Sequence, residues 1–184
     1  VGGFPQFPPQ ILKDDAVLIS EEGEEVARID LLEAFLDSEY RAMIEMFDQQ
    51  THNPASGQTN WDVLHANAIT RIGGDFARHH DFAEPGHLML SFRGFDALAV
   101  VDPDEKRVVW ATRGFWWNQH DPDPLPNGNI LVFDNHGHGG AGGGSRILEF
   151  DPATNAIVWS YAGDAEDRFW SRRRGTQQWL RTGN

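Results

Sequence analysis

The chain has 184 residues, enough for one domain with a sizeable core. Its formal net charge of −13 and pI near 4.8 exclude a surface that tracks nucleic-acid phosphates, because such a surface needs a net basic face to release counterions. Cysteine is absent, which excludes disulfides, thiolate metal sites and a cysteine nucleophile in this span, and no apolar run approaches the length of a membrane span.

Residues 1 to 10, VGGFPQFPPQ, read as loop, since prolines and glycines deny regular hydrogen bonding. AVLISEEGEEVARIDL then reads as a hairpin with a Glu-Glu-Gly-Glu turn. From Leu31 the apolar spacing at Leu32, Phe35, Leu36, Met43, Ile44 and Phe47 predicts one amphipathic helix. THNPASGQTN is expected as loop, so residues 1–60 form an N-terminal unit of loop, hairpin and helix.

From Trp61 the pattern changes to short strands separated by Gly, Asn, Asp and Pro, which predicts an all-β fold. It also repeats. VVDPDEKRVVWATRG (100 to 114) matches EFDPATNAIVWSYAG (149 to 163), with Asp102 and Asp151, and Trp110 and Trp159, each 49 residues apart (151 − 102; 159 − 110). GHLMLSFR from Gly86 aligns with GNILVFDN from Gly128, and the closing LRTGN resembles LPNGN, with Gly183 lying 55 residues after Gly128 (183 − 128). Several short strands per repeat of about 50 residues, with an Asp-Pro turn and a closing Trp, predict propeller blades. The blades fall at about 61–115 and 116–165, with a further one starting at 166–184, making a partial propeller of about three blades preceded by a short N-terminal helix.

Stacked blades need neighbours on both faces. Val1 in place of an initiator Met, and a final turn lacking its strand, accordingly predict a fragment with exposed sheet edges. Trp110 and Trp159, being periodic, are expected to pack between blades.

A site needs different groups converging from several blades, so residues that break the repeat are the candidates. These are His65 in DVLHAN, Arg93 in LSFRG, His120 in NQHDP, and Asn135 and His136 in FDNH. His65 and His120 each precede the first strand of a blade, and Arg93 and Asn135 coincide in the alignment. Equivalent positions of neighbouring blades would face one axial pocket. Imidazoles with a guanidinium suit an oxyanion such as sulfate or phosphate, and a histidine there can act as nucleophile, acid or base. The alternative is that both histidines are structural and bond backbone carbonyls.

Other basic and histidine clusters read as plainer features. The glycine tract GHGGAGGGS carrying His138 lacks P-loop spacing and reads as a blade insertion. His79 and His80 read as exposed in a polar connection, and Arg172, Arg173 and Arg174 as a solvated loop, although an arginine cluster can bind an anion. A metal site of His65, His120 and His136 has no matched carboxylate or i, i+4 pair to make it specific, and no metal is expected.

Taken in order, DVLHANAI, LMLSFRG, VVWATRG, QHDPDPLPNGNILVFDN, SRILEFDP, IVWSYAG and GTQQWLRTGN resemble the bacterial arylsulfotransferase family over roughly residues 61 to 184. That resemblance implies a six-bladed β-propeller that moves a sulfuryl group from a phenolic sulfate ester to a phenol through a sulfohistidine, without the nucleotide sulfate donor, metal or cofactor. It implies His120 as nucleophile and His65 and Arg93 as ligands of the sulfuryl oxygens; Asn67, Asn135 and His136 are expected beside them as substrate-binding residues, His136 standing where the family commonly has glycine. The implied partners are an aryl sulfate and a phenol, and the implied location is periplasmic or secreted. The competing expectation is a propeller that binds or scaffolds without turnover, and convergence of His65, Arg93 and His120 on one cavity discriminates the two.

Overall fold

The computed structural model describes residues 12–46, 62–137 and 144–180. The expected loops at 1–10 and 51–60, Phe47, His138 with most of the glycine tract, and Gly183 of the closing turn lie outside the described residues.

The N-terminal hairpin pairs β1 (Asp15–Ile19) with β2 (Glu25–Asp30), and Gly23 takes the left-handed turn position at φ 87°. Asp30 ends β2 and caps the helix that follows, its Oδ1 accepting from the amides of Leu32 and Glu33, both at 3.1 Å. The single helix expected from Leu31 is two, α1 (Leu31–Leu36) and α2 (Arg41–Glu45). Ser38 breaks it: its hydroxyl donates to Phe35 O at 2.7 Å and accepts from Tyr40 N at 3.1 Å, replacing helical bonds with local ones.

The remainder is chiefly two four-stranded antiparallel sheets, each a simple meander. The first contains β3 (Ala66–Arg71), β4 (Leu88–Phe92), β5 (Ala97–Asp102) and β6 (Arg107–Arg113), with the short α3 (Gly74–Ala77) between β3 and β4. The second contains β7 (His120–Pro124), β8 (Ile130–Asp134), β9 (Arg146–Asp151) and β10 (Ala156–Ala162). With the hairpin, this makes three antiparallel sheets and few helices, as the all-β expectation requires.

The repeat is visible in the turns. Asp102 Oδ1 accepts from the amides of Asp104 and Glu105, and Asp151 accepts from Ala153 N and the Thr154 hydroxyl. Both turns end on a left-handed residue at the same offset of 49 (155 − 106), Lys106 at φ 54° and Asn155 at φ 57°.

Alternation in β5 divides the core. Ala97, Ala99 and Val101 face α1, where the Phe35 ring meets Phe92 and Phe95 edge-on at 5.1 and 5.5 Å. Leu98 and Val100 face the second sheet and join Trp116, Ile130, Val132, Leu148 and Phe150. The two sheets therefore pack face to face, with β7 against β3 and β4.

Two expectations need correction. Trp110 is buried against Phe82, but its counterpart Trp159 is 50% exposed, because no described element covers β10, every residue of which is exposed. His80 is half-buried rather than solvent-facing: it bonds Gly128 O at 2.6 Å and stacks on Phe82, clamping the β7–β8 turn to the α3 region. Among the described residues, no helix is long and apolar enough to cross a membrane.

Candidate active site

The first strand of each four-stranded sheet is distorted near its start. Register shifts between Ala66 and Ala68 in β3 and between His120 and Asp123 in β7, and left-handed backbone occurs at His65 (φ 48°) and Asp121 (φ 53°). An irregularity of this kind re-aims the side chain beside it, and the side chains beside these are His65 and His120.

Buried polar bonds hold the chain leading into His120. Trp116 is buried and donates its indole N–H to Asp96 O at 2.9 Å, while the amides of Asn118 and Trp117 reach the Asp96 and Asp134 carboxylates at 2.8 and 2.9 Å. Gln119 is fully buried, and its amide nitrogen donates to Ala97 O at 2.9 Å, Ser91 Oγ at 3.1 Å and Phe92 O at 3.3 Å. Asn67 on β3 donates to Gln119 O at 2.8 Å. These contacts tie the residue before His120 to both β3 and β4.

His120 itself has a determined tautomer. Asn135 is buried, and its amide nitrogen donates to Ser171 O at 2.9 Å and Arg174 O at 2.7 Å, so its Oδ1 is left as the acceptor. His120 Nδ1 lies 2.7 Å from that oxygen and 3.1 Å from Asn118 O, both acceptors. Nδ1 therefore carries the proton and Nε2 carries the lone pair. Burial lowers the pKa of His120 below the usual imidazole value; the bonds to Asn135 and Asn118 oppose this, and repulsion from Arg93 and His65 adds to it. The imidazole is thus neutral at neutral pH.

His65 is held differently. Its Nδ1 lies 2.5 Å from Asp62 Oδ2, a carboxylate in place of the amide used by His120. Arg93 is locked to it through the backbone, with Arg93 N donating to His65 O at 3.1 Å and Gly94 N to Leu64 O at 2.9 Å. Only glycine fits at 94, where a Cβ would sit 2.8 Å from Leu64 O and closer still to Val63 O. Burial lowers the Arg93 pKa, with Asp96 and Asp62 opposing and Arg173 adding repulsion.

The structure thus brings His65, Arg93 and His120 within electrostatic reach of one another and sets Asn135 behind His120. Asn67 grips the backbone before His120, its Oδ1 buried without a hydrogen-bond partner among the described residues. His136 points into an aromatic group, its ring 5.5 Å from Trp117 and 5.6 Å from Trp170, two indoles that are 50% and 43% exposed. Among the described residues, no group of His, Cys, Asp or Glu is arranged to hold a metal ion.

Sequence reasoning missed Asp62, Gln119 and Ser171. Asp62 was signalled by an acid three residues before a histidine. Ser171 carried no local signal, since it meets Asn135 from 36 residues away.

A family model described as arylsulfotransferase (ASST) matches residues 9–184. The chain belongs to the arylsulfotransferase family. No curated protein and no solved structure gives a significant match to it. Family membership supports an arylsulfotransferase-like activity on small molecules, and the match extends over the N-terminal hairpin and helices as well as the sheets.

Proposed function

We propose that this protein transfers a sulfuryl group from an aryl sulfate ester to a phenol through a covalent intermediate on His120. The observation that carries the reading is the Nδ1–H bond to Asn135 on an imidazole whose pKa is lowered, which leaves a neutral nucleophile at Nε2. In this reading the two meanders are neighbouring blades of a six-bladed β-propeller. An exported location, periplasmic or secreted, belongs to the same reading by family membership.

In the first step the Nε2 lone pair attacks sulfur, the Nε2–S bond forms, and the S–O(aryl) bond breaks with its electron pair leaving on the phenolate. Arg93 and His65 neutralise charge on the sulfuryl and leaving oxygens, a preorganised electrostatic role. In the second step the acceptor oxygen attacks sulfur and the Nε2–S pair returns to His120. The acceptor's proton passes through His65, oriented by Asp62, to the departed phenolate. The sum is exchange of a sulfuryl group and a proton between two phenols, with no nucleotide donor and no metal in the scheme.

Asn135 acts through His120 in this reading, and Asn67 positions the strand carrying it. His136, with Trp117 and Trp170, forms the rim on which an aryl ring lies.

The test is mass spectrometry after brief exposure to 4-nitrophenyl sulfate at neutral to basic pH, since sulfohistidine is acid-labile. A sulfuryl adduct on His120, lost in His120→Ala, is the expected result. Neither adduct nor phenol release would instead support a propeller that binds without turnover.

A further inference from the structure

We infer that Arg173 is a second guanidinium of the anion site, held beside Arg93 by the turn at residues 171–174. This rests on the sulfuryl-transfer reading and names a substrate-binding residue for it.

The turn is fastened to the nucleophile's support. Asn135, whose Oδ1 takes the His120 proton, donates its amide to the carbonyls of Ser171 and Arg174 at 2.9 and 2.7 Å. The Arg174 carbonyl is therefore two hydrogen bonds from the His120 imidazole, and Arg173 is its immediate neighbour. Ser145 and Ser171 complete the fastening. Ser171 N donates to Ser145 Oγ at 2.8 Å, Ser145 Oγ donates to Asn135 O at 2.8 Å, and Ser171 Oγ donates to Arg174 O at 2.6 Å.

The turn also carries a conformational cost. Arg174 is left-handed at φ 69°, a region that disfavours residues with a Cβ. Two like charges are brought together as well, since Arg173 repels Arg93. Asp96 and Asp62 act on Arg93 with the opposite sign, and His65 and His120 add imidazoles to the same region. Among the described residues, neither the Arg93 nor the Arg173 guanidinium donates a hydrogen bond. Two guanidiniums held close with donors to spare form a receptor for a planar or tetrahedral oxyanion, which removes the repulsion on binding. The chemical class is a sulfate monoester, with Arg93 and Arg173 sharing its non-bridging oxygens.

The experiment measures calorimetric affinity for inorganic sulfate at constant ionic strength, and the KM and kcat for 4-nitrophenyl sulfate. It compares the wild-type protein with Arg173→Ala, Arg173→Lys and Arg172→Ala. The expected result is sulfate binding weakened, and KM raised, on the order of tenfold in Arg173→Ala, as loss of one charge-assisted contact implies. Arg173→Lys should restore part of the loss, and Arg172→Ala should match wild type. The inference is overturned if Arg173→Ala leaves both values unchanged, if the wild type binds no sulfate, or if Arg172→Ala loses as much, which would indicate diffuse charge. Failure of the transfer reading looks different: Arg173-dependent sulfate binding without any adduct on His120 keeps the anion site and removes the chemistry. An adduct formed with unchanged KM in Arg173→Ala does the reverse.

Discussion

His65 and His120 stand at corresponding places in successive repeats, each beside a bulge near the start of the first strand of a sheet, yet their Nδ1 atoms meet different kinds of partner. His120 gives its Nδ1 proton to a neutral amide that is itself fixed by two carbonyls, whereas His65 meets a carboxylate. The amide oxygen fixes the His120 tautomer and offsets only part of the burial that lowers its pKa, whereas the Asp62 carboxylate orients the His65 ring. In the proposed mechanism the same position serves as nucleophile in one sheet and as proton carrier in the other.

The sharpest break of that comparison is a pair of alanine variants. His120→Ala should abolish the adduct, while His65→Ala should still form it, with a rate loss on the order of 10²–10⁴ that grows as the leaving phenol becomes less acidic. A leaving-group series read by stopped-flow absorbance measures this, and equal loss of adduct in both variants would make the histidines interchangeable.

Arg93→Gln should cost on the order of 10²–10³ in kcat/KM, the scale of one lost electrostatic stabiliser. It also moves a pH limb. Arg93 repels the protonated imidazole and so lowers the His120 pKa, and its removal must raise it. Since attack needs the neutral ring, activity in the wild type should rise with pH through a value below the usual imidazole pKa, and Arg93→Gln should shift that rise to higher pH. An unmoved limb in the kcat/KM profile would separate Arg93 from His120.

The smallest expected effect concerns the other repeated pair. Trp110→Ala should cost about 3–5 kcal/mol, as for a buried aromatic, and Trp159→Ala about 0.5 kcal/mol or less, as for a surface change. Urea unfolding of the two variants compares them directly.

Much of the fold was legible because it is written locally. Asp102 and Asp151 bond the amides two or three positions on, so the Asp-Pro turn shows in a few letters. Alternation in β5 likewise reports its two packed faces. The break at Ser38 was not legible, because a hydroxyl competing with a helical bond leaves the apolar spacing intact.

Within the site, the candidates were visible as departures from the repeat, but their roles were not. Nothing in the letters joins His120 to Asn135 or Asn135 to Arg174; those bonds cross 15 and 39 residues and exist only once the segment after β10 folds back. The arginine run is exposed loop, as its charge implies, but its anchorage through Arg174 O to Asn135 was not legible. Trp159 shows the matching limit for burial, which depends on what lies above a residue as well as on its type.

The exposure of β10 also has a colloidal consequence. Ile157, Val158, Trp159 and Tyr161 are each 44 to 52% exposed on a strand with an unpaired edge, a template onto which another strand can add. What opposes such addition is the formal charge of −13, whose repulsion acts over about 10 Å at 0.1 M ionic strength and about 3 Å at 1 M. The 184-residue span on its own is therefore kept dispersed by its acidity, and concentrated salt, by screening that acidity, turns its last strand into a contact.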